Sequence, residues 1–343
     1  MKKLALSVLT LPTTSRLFHP FVRSRATILT LHRFAEPDRQ TSGHPVGMLD
    51  LQIAALRRGG YHLMGLDVLM RQLVEGVPLH PRSVVFTVDD GYGDFARMAA
   101  PVFARYDCPV TVFLTTGYLD RECWFWWDQV EYVITARPGS VELDLDGISW
   151  ASSWGGGAEA QAAAGNLVER LKQIPDDQKQ LAITRLSDRL DVPIPSAVPA
   201  QYAPMSWDEV RSLHQRGVAF GPHTVNHPVL SRTPDRQSEF ELRQSWQRLS
   251  AEIASPTPVF CYPNGTLDAF GSREMATLRS MGLLGAVTID HDHASLASVR
   301  DGGPDARFLI PRFPCPESRA GLIQIVSGME FVKSRIRRWV GRR

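Results

Sequence analysis

The sequence predicts an α/β fold in which parallel strands alternate with crossover helices, as a barrel or an open doubly wound sheet. Three observations carry that expectation. Val84 to Val88 and Pro109 to Thr115 (PVTVFLT) are near-continuous apolar runs of strand length, as in strands buried on both faces. Helix-length segments ending in glycine or proline separate such runs along most of the chain. The strand–helix–strand succession calls for parallel pairing through right-handed crossovers. With 343 residues, 43% hydrophobic and 22% charged, the chain suits one large domain or two small ones of ordinary globular type.

The elements follow in order. Met1 to Leu9 resembles the start of a signal peptide, but the apolar run stops at Pro12 and no small-x-small cleavage site follows, so secretion is the less favoured reading. Ala26 to Leu31 is a strand ending in His32. Helices are expected at Leu49–Arg58, stopped by Gly59-Gly60, and at Leu66–Glu75, closed by Gly76. After the Val84 strand, a helix covers Phe95–Tyr106, with Pro101 as a kink or restart. Asp94 is placed to cap it. Trp124-Phe125-Trp126-Trp127-Asp128 leads into a helix over 129–136. Most of these rings are expected to pack, with one exposed ring free to stack on a sugar.

Segment 137–203 changes texture, with Gly155-Gly156-Gly157, an alanine-rich patch, helices near 166–174 and 176–190, and a proline-rich exit. It reads as a helical insertion that shapes substrate access. Ser206 with Glu209 forms a capping box for a helix ending at Gly217. Further strands are expected at 218–220, 259–262 and 284–289, with helices at 236–253 and 272–281 and a turn at Pro263-Asn264-Gly265. The expected organisation is an N-terminal extension (1–25), a main domain (26–326) carrying the insertion (137–203), and a basic tail (327–343).

The chemistry concentrates at strand ends, where α/β folds build their sites. The Val84 strand ends abruptly in Asp89 and Asp90. Carboxylates at the end of a buried strand need a cation nearby. His223 and His227, spaced i, i+4 and bracketed by Pro222 and Pro228, follow another strand. Two imidazoles and one carboxylate make three ligands for Zn²⁺ or a similar ion, leaving a position for water. The second aspartate is then free to act as a base. Four scattered cysteines (Cys108, Cys123, Cys261, Cys315) form no CxxC pair and argue against a disulfide framework or a cysteine-rich zinc site.

Two rival readings fail on charge and spacing. Gly91-Tyr92-Gly93-Asp94-Phe95-Ala96 matches a dinucleotide-binding pattern, but Asp89 and Asp90 would repel a pyrophosphate there. A glycosidase needs two carboxylates on opposite sides of a sugar, which adjacent residues do not supply.

Thr87-Val88-Asp89-Asp90-Gly91 resembles the T-F-D-D-G motif of polysaccharide deacetylases, the NodB-homology family. His223-Thr224-Val225-Asn226-His227 resembles that family's H-[ST]-x-x-H motif. The resemblance runs from about Ala26 to Pro314 and covers 137–203 loosely. It implies a distorted (β/α) barrel and metal-dependent removal of N-acetyl groups from an amino-sugar glycan. By the family pattern Asp89 is the general base, and Asp90, His223 and His227 hold a divalent ion, Zn²⁺ first and Co²⁺ or Ni²⁺ as alternatives. The third motif departs from R-x-P-Y-G: Cys261 stands in the arginine position, and Phe260 to Gly265 fits a subgroup reading F-x-Y-P-x-G. The Asn264 backbone N–H is the expected oxyanion donor, with Tyr262 and Arg312 as further oxyanion or substrate residues; Arg312 is a candidate for the missing arginine. His32 resembles the general acid of members with permuted strand order, and His291 and His293 are weaker candidates for that role.

In the tail, Phe331, Ile336, Trp339 and Val340 interleave with Lys333, Arg335, Arg337, Arg338, Arg342 and Arg343. Such a basic amphipathic helix suits an anionic membrane surface; a solvated helix docked on the barrel is the plainer reading. The expected location is the cytoplasm, with peripheral contact at the inner face of the membrane. A net charge of +2 and the absence of any recognised motif speak against a nucleic-acid partner. A deacylase or deformylase of a lipid-linked or small glycan, and a catalytically silent carbohydrate-binding relative, are the alternatives.

Overall fold

The computed structural model describes residues 16–39, 41–145 and 148–340. The signal-like start (1–15) and the last three residues of the tail lie outside the described residues. The strands are β1 (Arg25–Leu31), β2 (His62–Leu63), β3 (Ser83–Val88), β4 (Val110–Leu114), β5 (Gly139–Leu145), β6 (Ile148–Trp154), β7 (Ala219–Pro222), β8 (Val259–Cys261), β9 (Gly285–Val287), β10 (Ala294–Ser295) and β11 (Phe313–Pro314). β1, β3, β4 and β7 lie side by side in that order, all parallel. The circle continues through shorter links. Thr257 N–H donates to the Phe220 carbonyl at 2.7 Å, β8 pairs parallel with β9, Val287 bridges Ile310, and β11 returns parallel to β1. The result is the distorted barrel, with β2 and the antiparallel β10 as short additions on β3 and β1.

Strict alternation along each strand sorts the side chains. Val84, Phe86 and Val88 of β3 join Val110, Val112, Leu114 and Phe220 in the core beneath the helices. Val85 instead joins Ala26, Ile28, Phe113, Val259, Cys261, Val287 and Ile310 in the cluster inside the barrel. Gly221 is needed where this interior is tightest, since a Cβ there would meet the Phe113 ring at 2.8 Å and the Val259 carbonyl at 2.9 Å. Followed upward, the inward row of β3 reads Val85, Thr87, Asp89; that of β1 reads Ile28, Thr30, His32. The barrel interior is apolar below and polar at its carboxyl end.

The early helices are α1 (Val46–Arg58), α2 (Leu66–Glu75) and α3 (Ala100–Arg105), the last preceded by a π-helical turn over Phe95–Ala99. Asp94 does not cap this segment: its carboxylate accepts from Phe34 N–H and Arg33 Nε, both at 3.1 Å. Tertiary ion pairing outcompetes the local cap.

The segment expected as a helical insertion is more than helices. After the short α4 (Thr116–Leu119) and α5 (Trp126–Thr135), β5 and β6 form an antiparallel hairpin, followed by α6 (Ala158–Leu171) and α7 (Asp176–Leu190). The alanine-rich patch is the first half of α6. Together these elements enclose a second core, including Val133, Ile134, Leu143, Trp150, Trp154, Leu167, Leu171, Ile183 and Leu186. The remaining helices are α8 (Trp207–Gln215), with the expected capping box, α9 (Asp235–Glu252), α10 (Ser272–Ser280), α11 (Leu296–Asp301), α12 (Arg319–Val326) and α13 (Met329–Val340).

Candidate active site

The strand ends bring the sequence candidates together. Asp90 follows β3, and its carboxylate Oδ1 stands 3.5 Å from His223 Nε2 and 3.6 Å from His227 Nε2. All three side chains are buried. The two histidines sit on a loop rather than a helical turn. The β4–β7 ladder extends into it, with His223 N–H donating to Leu114 O (3.0 Å) and Thr116 N–H to Thr224 O (3.1 Å). Glu241 of α9 clamps the loop by accepting from Val225 and Asn226 N–H at 2.8 Å each and from Asn226 Nδ2 at 3.0 Å. Asp90, Thr224, His227 and Asn264 all have positive φ (79°, 67°, 57° and 58°). Such backbone costs of order 1–3 kcal/mol per residue and persists only where the surroundings over-determine it.

Imidazole roles follow from partners. His223 Nδ1 faces the Cys261 carbonyl at 2.7 Å; a carbonyl only accepts, so Nδ1 donates and Nε2 is the atom turned to Asp90. Burial opposes the charged form of this imidazole, but Cys261 and Asp90 outweigh it and raise His223 well above its ordinary value. His227 Nδ1 is buried with no partner among the described residues. Burial, and then the neighbouring His223, push the His227 imidazole down to about 3, so it is neutral and able to ligate.

Two groups of ligand-type side chains meet among the described residues: Asp90-His223-His227 and Asp89-His223-Cys261, each with donor atoms within 4.8 Å of one another. Only the first fits a divalent cation. Ligands ~2.0–2.2 Å from a tetrahedral ion stand ~3.3–3.6 Å apart, as the Asp90 oxygen does from each of the two Nε2 atoms. At the second, Arg312 already supplies the cation. Its Nη1 and Nη2 donate to Asp89 Oδ1 and Oδ2 at 2.8 Å each, and Nη2 lies 3.1 Å from Cys261 Sγ.

Adjacent aspartates thus differ in kind. Burial by itself would raise the Asp89 carboxyl; Arg312, fully buried beside it, outweighs this and holds it well below the usual carboxylate range. Thr30 Oγ1 (3.3 Å) adds a further donor. Arg312 is itself pinned by the Thr288 carbonyl and Thr87 Oγ1, both at 3.0 Å. Arg312 therefore puts a guanidinium beside the residue, Cys261, that holds the arginine position of the third motif.

His32 Nε2 lies 3.8 Å from Asp89 Oδ2, with its side chain 46% exposed at the cleft. His291 and His293 do not line the cleft; His293 packs against Phe313 and Phe331 instead. Asn264 lines the cleft, and its N–H donates to no protein acceptor among the described residues. Tyr262 also borders the cleft, but its ring is stacked on Phe270 at 3.7 Å and its hydroxyl is buried without a partner among the described residues. Its side chain serves packing more than substrate contact.

The cleft has a volume of about 560 Å³ and a second wall, to which the tryptophan cluster and the insertion expected to shape substrate access both contribute. Trp127, Asp128 and Glu131 come from α5, and Gln161, Ala164, Gly165, Val168 and Glu169 from α6. None of the clustered tryptophan rings is fully exposed. Trp127 is the one at the cleft: it stacks on Phe125, meets the His227 ring edge-on at 4.7 Å and donates from Nε1 to Tyr92 Oη at 3.0 Å. Tyr92 Oη in turn donates to Asp128 Oδ2 at 2.8 Å. Burial pushes the Asp128 carboxyl well above its ordinary value, despite the opposing Arg33. The signal for this wall was the polar Asp128 at the start of an apolar helix.

A family model described as polysaccharide deacetylase matches residues 76–152 and 176–283, more than half of the chain. No curated protein matches the sequence. Among solved structures, the Streptococcus pyogenes deacetylase PplD in complex with acetate superimposes with a TM-score of 0.57 at 17% identity, covering 89% of this chain and 99% of that one. IcaB from Ammonifex degensii gives 0.54 at 13%, covering 89% and 97%. A de-N-acetylase from Aggregatibacter actinomycetemcomitans gives 0.52 at 12%, covering 86% and 96%. Identities this low speak for the fold; the matched family model, together with the motif residues meeting at one cleft, shows that the chain belongs to the polysaccharide deacetylase family, and hence to the hydrolases that deacetylate glycans.

Proposed function

We propose that the chain is a metal-dependent N-deacetylase of amino-sugar glycans, with Asp90, His223 and His227 holding one divalent cation, Zn²⁺ first and Co²⁺ or Ni²⁺ as alternatives. The observation that carries this reading is the approach of one carboxylate oxygen to two imidazole nitrogens at 3.5 and 3.6 Å, long for hydrogen bonds and suited to a shared cation. A bound cation would polarise the acetamide carbonyl and make water acidic enough to attack it. Asp89, held ionised and oriented by Arg312, takes the proton from that water. The Asn264 N–H donates to the oxyanion of the tetrahedral intermediate. His32, at the open side of Asp89, gives a proton to the nitrogen as the C–N bond breaks. One C–O bond forms, one C–N bond breaks, and acetate and a free amine leave.

Arg312 resolves the departure of the third motif in this reading, because the guanidinium comes from the loop before β11 rather than from the position of Cys261. The test is acetate release from N-acetylated glucosamine oligosaccharides by the purified chain. Chelator should abolish release and added Zn²⁺ restore it. Release unaffected by exhaustive chelation would overturn the metal role, and absence of release from N-acetylated, N-formylated and longer N-acylated glycans alike would favour a carbohydrate-binding relative.

A further inference from the structure

Away from the cleft, the 3-10 turn Arg16–Val22 packs against α13. Gly328 permits the approach, since a Cβ there would stand 2.8 Å from Val22 Cγ1 and 3.1 Å from the Phe18 carbonyl. Phe331 anchors the helix, with the Arg25 guanidinium 4.3 Å and that of Arg335 5.2 Å from its ring centre. Despite this docking, Leu17 is 71% exposed, Phe21 52% and Ile336 57%. Arg23, Lys333, Arg335 and Arg337 are exposed on the same two elements or at their junction. Lys333 pairs with Glu330 at 3.1 Å, whereas Arg23, Arg335 and Arg337 pair with no carboxylate among the described residues. Elsewhere Arg33, Arg97, Arg248, Arg273 and Arg312 each hold a carboxylate, and Arg57 and Arg82 donate to backbone carbonyls. The sequence leading into the turn, Met1-Lys2-Lys3-Leu4-Ala5-Leu6, and the sequence leaving the helix, Arg342-Arg343, continue the same mixture of cations and apolar residues.

We propose that this paired surface, the turn 16–22 together with α13, docks the protein on an anionic lipid membrane. Charge decides the occupant. Two copies of the chain meeting face to face here would set unpaired arginines against one another, whereas anionic headgroups supply the missing counter-charge. Leu17, Phe21 and Ile336 then enter the boundary between headgroups and acyl chains, as the apolar side of an interfacial element does. The attachment is peripheral, because no helix among the described residues is long and apolar enough to cross a membrane. Docking also leaves the cleft free. Arg25 opens β1 beside Phe331 and His32 follows its end, so the strand's seven residues separate the two by ~23 Å at ~3.3 Å per residue.

The test is flotation of the full chain with vesicles of phosphatidylcholine alone and of phosphatidylcholine mixed with phosphatidylglycerol. Flotation is expected only with the mixed vesicles, and it should weaken as salt is raised. Each surface cation adds about fivefold to partitioning, so the double variant Arg23→Gln/Arg337→Gln should lower it about 25-fold with an unchanged unfolding midpoint. Phe21→Ser/Ile336→Ser should lower it with the charge intact. Equal flotation with the two vesicle types, no flotation with either, or undiminished flotation of both double variants would overturn the proposal.

Discussion

The cleft has two walls built on different terms. On the barrel side, the two aspartates and the histidine pair are buried and firmly held: Asp89 by Arg312 and Thr30, the histidine loop by Glu241 and the β4–β7 ladder. Four L-residues there carry positive φ. On the opposite side, α5 and α6 belong to a second core and, with Lys172 just past the end of α6, present Trp127, Gln161, Val168 and Glu169 to the same space. These side chains have fewer partners and more solvent; the Glu169 side chain is 69% exposed. The contrast teaches a division of labour. Chemistry needs side chains fixed to a fraction of an ångström, so it is built where the barrel over-determines them. Recognition tolerates adjustment and can be carried by an attached layer with its own core.

The sharpest way to break that comparison lies within the barrel wall, at neighbouring residues. Asp89→Asn should lower kcat about 10²–10⁴-fold while one divalent ion per chain is still bound. Asp90→Ala should lose both ion and turnover. Metal content measured beside acetate release separates the two, and equal retention of the ion in both variants would show that the two aspartates are not divided as proposed.

Arg312→Met comes next. Removing one partner of a buried ion pair costs about 3–5 kcal/mol, so the variant should unfold at lower denaturant near neutral pH. The sign of its pH dependence follows from Asp89. The folded carboxyl lies below its ordinary value, so the pair contributes stability above the ordinary carboxylate pKa of about 3.9. That contribution disappears as pH falls toward the folded value. Without Arg312, burial is opposed only by Thr30 and the neighbouring histidines, so the carboxyl rises and the acid limb of kcat should move to higher pH. The stability gap between wild type and variant should narrow as pH falls; a gap constant with pH would mean that Arg312 acts through packing alone.

Much of the barrel wall was legible in the sequence because its signals are local. Apolar runs mark β3 and β4, and carboxylates or imidazoles directly after a strand mark the site. Arg312 was a candidate only through the gap left by Cys261, since nothing local links positions separated by 51 residues. The two-residue strands β2, β10 and β11 leave no periodic trace and depend on the tertiary frame. Asp94 looked like a cap because local rules see a carboxylate before a helix and cannot see Arg33. The hairpin is a different case. Val141 and Leu143, then Ile148 and Trp150, alternate in the strand period, with Asp146-Gly147 between them, a strong hairpin signal. The neighbouring glycines and alanines drew the segment toward a loop-and-helix reading.

The smallest expected effects belong to the second wall, and their ordering tests whether it recognises substrate at all. Trp127→Ala removes a large ring beside His227, worth about 1 kcal/mol, and should raise KM about fivefold. Lys172→Ala should do much less. Its ammonium pairs with Glu169 at 2.6 Å, but both side chains are substantially exposed, at 33% and 69%. Exposed pairs are weakened by water and salt and contribute a few tenths of a kcal/mol. A change in KM of about twofold follows, fading at high ionic strength, with kcat unchanged. Steady-state kinetics on a soluble N-acetylated oligosaccharide at low and high salt measures it. If Lys172→Ala instead lowered kcat with KM intact, the α6 side of the cleft would be taking part in the chemical step, and the division between a reacting wall and a recognising wall would fail at its weakest point.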